Sequence, residues 1–180
     1  MRKLSLVAAL ALASTAAVAQ DVKTDYDKAA NFAAIKTFQA KIATGWGNQI
    51  SEKRVLDEFT QALTEKGWKS VDANPDAVVL LHGATEKQKS LNTFYSGGYG
   101  GYGYRGWGGM GGMGTATTTT SEFLVGTLVV DIYDAKTKSL MFRGTATDEL
   151  SDKPEKNQKK LQKASDKMFK DFPPGSKDKK

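Results

Sequence analysis

Two alternating stretches joined by a short turn do most to limit what this chain can fold into. Leu124 to Tyr133 puts Leu124, Gly126, Leu128, Val130 and Ile132 on one face, and Leu140 to Thr147 does the same with Leu140, Phe142, Gly144 and Ala146. A period of two belongs to a strand with one buried face. Asp134-Ala135-Lys136-Thr137 supplies a turn between them, so the pair predicts a long antiparallel hairpin. One face of that hairpin is apolar and needs a second layer to cover it.

Helical periodicity supplies the layer. In Asn48 to Lys66, Val55, Phe59, Ala62 and Leu63 recur at i, i+4, i+7 and i+8, and Gly67 then allows the left-handed cap from which Trp68 folds back. Asp152 to Pro154 opens a final helix, with Leu161, Ala164, Met168 and Phe172 on one stripe and lysines elsewhere, before Pro173-Pro174-Gly175 ends it. Asp21 to Asp27 alternates as a first strand, and Phe32 to Phe38 reads as a short second strand after a turn at Lys28 to Asn31. After the turn Asn74-Pro75-Asp76, the apolar run Ala77 to Ala84 reads as a central strand. The order does not alternate as a doubly wound fold would. It predicts an α+β two-layer sandwich, a mostly antiparallel sheet with two helices on one face.

The N-terminus constrains location. Arg2 and Lys3, the apolar run Leu4 to Ala13 and Ala17-Val18-Ala19 before Gln20 have the form of a cleavable secretory signal. The run is shorter than the ~20 residues a membrane-spanning helix needs. Residues 20–173 are then expected to form a single domain with no transmembrane segment, periplasmic or peripherally associated with the envelope, away from cytosolic nucleotides and chromosomal DNA. No nucleic-acid partner is expected. The chain has 0 cysteines, so no disulfide framework holds the fold. Gln20 stands where a lipoprotein would carry its acylated cysteine, so covalent lipidation is not expected.

Tyr26-Asp27, Phe32, Thr37-Phe38, Lys66-Gly67-Trp68 and Pro75-Asp76 occur in that order, followed by Gly126 to Asp131, Phe142 to Ala146 and Phe172-Pro173. With these motifs over most of residues 21–173, the chain resembles the bacterial domain of unknown function 4136 family. The resemblance implies an exported envelope protein, in many members a lipoprotein, with no agreed activity or catalytic residues. This chain departs from the lipoprotein pattern at Gln20.

Ser96 to Gly114 is glycine interleaved with Tyr99, Tyr102, Tyr104, Trp107, Met110 and Met113. Residues 96–120 are expected to form a mobile insertion, since ordering so much glycine is entropically costly. Its G-x-G-x-x-G spacings do not predict a dinucleotide site, because threonines and a strand follow where a helix N-terminus must hold the pyrophosphate. Tyr99, Tyr102, Tyr104 and Trp107 are instead candidate contact residues, whose amphipathic rings suit a glycan, a protein surface or a lipid interface.

Charge marks a second candidate surface. The whole chain carries +6, and Lys153 to Lys180 holds ten lysines against Glu155, Asp166, Asp171 and Asp178. The end of the chain, including a flexible basic tail at 174–180, is therefore cationic. Lys156, Lys159, Lys163, Lys167 and Lys170 are candidates for contact with an anionic surface. The lone histidine, His82, reads as structural, and Asp25 and Asp27 share a strand face without a supporting motif. An enzyme would need those three groups to converge in one concave pocket. Neither a G-x-S-x-G elbow nor a phosphate-binding loop is present, so no catalytic residue, metal or cofactor is expected. The expected function is that of an exported, non-enzymatic envelope protein acting as a binding or structural module. A subunit of an envelope assembly pairing through a sheet edge, or a hydrolase, are its alternatives.

Overall fold

The computed structural model describes residues 20–95 and 116–174. The expected signal segment 1–19, the residues 96–115 carrying Tyr99, Tyr102, Tyr104 and Trp107, and the tail residues 175–180 lie outside the described residues. Six strands and two helices form an α+β sandwich: β1 (Asp21–Tyr26), β2 (Thr37–Thr44), α1 (Gln49–Glu65), β3 (Lys69–Ser70), β4 (Ala77–Tyr95), β5 (Ala116–Asp134), β6 (Leu140–Leu150) and α2 (Pro154–Met168). The sheet order is β1-β6-β5-β4-β2-β3. From β1 to β4 neighbours are antiparallel, as the alternating stretches predict. β2 lies parallel to both β4 and β3, because α1 carries the chain back between β2 and the later strands.

Each helix forms for a local reason. The Asn48 side chain accepts the Ser51 N–H at 3.1 Å and caps α1, and Gly67, at φ +90, takes the left-handed conformation that lets the Trp68 N–H reach the Leu63 carbonyl at 3.1 Å. Pro154 starts α2, where its missing N–H costs no helical hydrogen bond. α1 covers β2 and β3, α2 covers β6 and β1, and the helices touch each other. A Cβ on Gly144 would collide with the Met168 side chain, so α2 sits directly on the β6 backbone.

The core lies between the layers. Phe38, Val79, Leu81, Val130 and Ile132 from the sheet meet Phe59 and Leu63 from α1, all fully buried. Phe169 joins the pieces, with its ring 5.7 Å from Phe59, 5.8 Å from Phe142 and 5.1 Å from Phe172.

Four expectations need correction. Phe32–Ala34 is a 3-10 turn rather than the start of a strand, and it buries Phe32 and Ile35 in the core. β2 begins only at Thr37, where the Asp76 carboxylate accepts the Thr37 N–H and hydroxyl at 3.0 and 2.9 Å. The Lys36 N–H, which donates to the same carboxylate at 3.0 Å, and then the two Thr37 bonds hold Asp76 below the usual carboxylate range. In the hairpin the register shifts between Ile132 and Tyr133, leaving Met141 as an extra residue. Met141 is therefore buried at 3% and Leu140 turns outward at 37%, as a bulge requires.

The third correction concerns the insertion. Tyr95 pairs with Ala116, so residues 116–120 are strand rather than loop. The β-branched run Thr117 to Thr120 suits an extended backbone. The fourth concerns α2, which stops at Met168, leaving Lys170 and Phe172 in the turn that follows. Phe172 is still buried, through the chain reversal rather than helical spacing, and Leu161 is only half-buried.

Candidate functional site

The first turns of both helices border a cleft of about 590 Å³ over the sheet, on the side away from the Phe169 cluster. Its floor is formed by Gly83 of β4, Gly126 and Leu128 of β5 and Ala146 of β6, and the two glycines let the Trp46 and Leu150 side chains lie directly on the sheet backbone. Trp46 forms one wall and packs flat against Gly83, where a Cβ would overlap its ring. The indole N–H of Trp46 donates to Ser51 Oγ at 2.6 Å, and its backbone N–H donates to Glu52 Oε1 at 2.9 Å. Gly47 also donates to Glu52 Oε1, so this carboxylate is spent on organising the loop before α1.

The opposite wall is built by α2 and the end of β6. Lys160 Nζ donates to Asp148 Oδ1 at 2.9 Å and to the Glu149 carbonyl at 2.6 Å. Asn157 both accepts from the Ser151 N–H and donates to the Ser151 carbonyl, fixing the turn into α2. Gln20 donates to the Lys160 carbonyl at 2.7 Å, while its Oε1 is buried with no hydrogen-bond partner among the described residues. Ile50, an apolar residue on the first turn of α1, stands 70% exposed at the mouth. Sequence reasoning missed this cleft because its glycines read as alternation on a buried face. Nothing in the spacing distinguishes a filled floor from an empty one.

The candidate lysines are brought together in part. At 100° per residue Lys156, Lys159, Lys163 and Lys167 fall within about 80° of arc on α2. All four are exposed, as is Lys170 in the following turn. Lys167 Nζ lies 3.4 Å from the Gln20 carbonyl. Among the described residues Lys156, Lys159 and Lys163 have no acidic partner within salt-bridge distance. The row is about 16 Å long from Lys156 to Lys167.

The reverse face of the sheet carries a polar group that sequence reasoning did not pick out. Asp131, 2% exposed, accepts from Arg143 Nε and Nη2 at 2.6 Å each. That pairing raises the Arg143 pKa through hydrogen bonding and charge. His82 Nε2 lies 3.9 Å from the same carboxylate, and His82 Nδ1 shares a hydrogen bond with Thr44 Oγ1 at 2.9 Å. The hairpin register, which sets Asp131 opposite Arg143, is the signal that could have found the pair. Asp25 and Asp27 are engaged locally, accepting from the Tyr26 and Ala29 N–H groups. Neither they nor His82 line the cleft, so the three groups needed for the hydrolase alternative do not meet there. Among the described residues no group of three or more His, Cys, Asp or Glu could hold a metal ion, and no helix is long and apolar enough to cross a membrane.

A family model described as Domain of unknown function (DUF4136) matches residues 22–174. The chain belongs to that family. A solved structure of a PDZ domain protein from Parabacteroides distasonis shares the DUF4136 fold, with a TM-score of 0.55 at 15% identity over 87% of this chain. The chain spans only 37% of that protein. A PelC dodecamer from Paraburkholderia phytofirmans is similar at a TM-score of 0.45 and 14% identity, covering 81% of this chain and 94% of that one. A homologue of a neuraminyllactose-binding hemagglutinin from Helicobacter pylori gives 0.45 at 9% identity, over 80% of this chain and 88% of that one. No curated protein matches the DUF4136 chain.

Proposed function

We propose that this DUF4136 chain is an exported, non-enzymatic binding module of the cell envelope that rests against an anionic membrane surface through the exposed face of α2. The observation that carries this reading is the lysine row. The apolar side of α2 is committed to the core by Ala164 and Met168, so Lys156, Lys159, Lys163 and Lys167 can only point outward. A cationic row with no acidic partner among the described residues gains from anionic head groups, at about 1 kcal/mol per lysine near the surface. The signal-like N-terminus supports export. Support for a non-enzymatic role comes from Asp131, whose carboxylate is neutralised by Arg143, and from Asp25 and Asp27, which serve their own turns. Tyr99, Tyr102, Tyr104 and Trp107 are proposed as further contact residues, on the amphipathic character of their rings.

Sedimentation with lipid vesicles tests this. Protein purified after expression of the full chain is expected to pellet with phosphatidylglycerol-containing vesicles, and to be released by high salt. Changing Lys156, Lys159 and Lys163 together to glutamine is expected to weaken that binding by about tenfold or more. Equal pelleting with neutral phosphatidylcholine, or an unaffected triple variant, contradicts the reading.

The second reading, an assembly subunit, has one observation in its favour. From Gln88 opposite Phe123 to Tyr95 opposite Ala116, β4 and β5 continue as a two-stranded ribbon beyond the last β6 partner, Leu150, and the last β2 partner, Thr44. Among the described residues neither edge of this ribbon is paired there, and these edges are where another strand could add.

A further inference from the structure

We infer that the cleft between the first turns of α1 and α2 is a binding site for a long-chain fatty acid. The inference rests on the cleft alone and is independent of the lysine row. Its volume, about 590 Å³, lies in the range of pockets that enclose a whole small molecule. Most of the surface that the cleft presents is apolar, with Ile50, Val55, Leu128, Leu150 and Leu161 contributing to it. The floor backbone groups are committed to the β4–β5–β6 ladder, so a ligand carrying polar groups along its length would bury them without partners. Several polar side chains of the lining are already committed, Lys160 to Asp148 and Asn157 to Ser151. The ligand must therefore be apolar along its body and polar at one end.

The rim fixes the sign of that end. Asp148 is the one acid lining the cleft and is paired with Lys160, which leaves Arg54 as a cation with no acidic partner among the described residues. Glu52, in the first turn of α1, already accepts from Trp46 and Gly47. The positive ends of two helices, 17 and 15 residues long, border the same mouth and favour an anion there. An exposed apolar side chain, Ile50, next to an unpaired guanidinium matches a carboxylate head followed by a methylene chain. Arg54 is also the residue type best suited to grip a carboxylate by two hydrogen bonds.

Calorimetric titration of delipidated protein, purified after expression of the full chain, with palmitate below its micellar concentration tests the assignment. Saturable one-to-one binding is expected, tightening by up to about fourfold per methylene across a series from hexanoate to palmitate. Hexadecyltrimethylammonium, with the same chain and the opposite charge, is expected to bind at least about tenfold more weakly. Ile50→Asp and Arg54→Glu change exposed residues, so both variants should keep the parent near-ultraviolet circular dichroism while each weakens palmitate by about tenfold or more. Absence of saturable palmitate binding overturns the site. Unchanged affinity in both variants overturns its placement, and equal binding of the cationic amphiphile overturns the carboxylate assignment.

Discussion

Replacing Phe169 by alanine is expected to lower the unfolding free energy by about 3 to 5 kcal/mol, the range for removing a fully enclosed aromatic ring. Phe169 is 1% exposed and is the one side chain whose ring meets α1 at Phe59, β6 at Phe142 and the terminal turn at Phe172. Those edge-on and tilted contacts add to the apolar area lost. Because three elements close around this ring, the surrounding structure has little freedom to collapse into the hole. Urea denaturation of the variant beside the parent measures the difference. A loss below about 1 kcal/mol would mean that α2 and its following turn do not close the core.

The second large effect is expected on the reverse face of the sheet. Arg143→Leu should cost about 1 to 3 kcal/mol, because it leaves the Asp131 carboxylate buried without its two charge-assisted hydrogen bonds. The lower part of that range allows for Arg143 itself, whose side chain is half in water. Adding Asp131→Val removes the stranded charge and places a β-branched residue in a strand, so the double variant should recover most of the loss. A double-mutant cycle by urea melts reads the coupling directly. Additive losses would show that the two side chains do not depend on each other.

The parts of this fold that were legible in the sequence are those where one period runs undisturbed. α1 carries its apolar face from Val55 to Leu63 between a capping Asn48 and the stop at Gly67, and it appears in the structure almost as the spacing dictates. β6 was legible in kind but wrong at Leu140, because a bulge at Met141 changes phase without any glycine or proline to announce it. The 3-10 turn at Phe32 looked like a strand, since aromatic and β-branched residues suit either a ladder or a buried anchor. Its true state depends on Asp76, 39 positions beyond Thr37, which no local reading can weigh. β2 running parallel to β4 is likewise a tertiary fact.

The candidate site was legible in its charges and illegible in its shape. The lysines of α2 stand where an amphipathic helix must put them, and their alignment into one row follows from counting 100° per residue. The cleft depends on Gly83, Leu128 and Ala146 standing side by side on three strands, with Gly126 two residues along β5, which requires the register of β4, β5 and β6 together. Asp131 was hidden for the opposite reason. At an outward position of an alternating strand it resembled any solvated acid, and only the partner strand supplies Arg143 to cover it.

Fractionation of cells expressing the full chain tests the central claim most directly. The account predicts protein in the envelope fraction, released by a high-salt wash, with an intact mass that begins at Gln20. Protein that stays in the cytosol with residues 1–19 attached, or that remains on membranes through the salt wash, would contradict it.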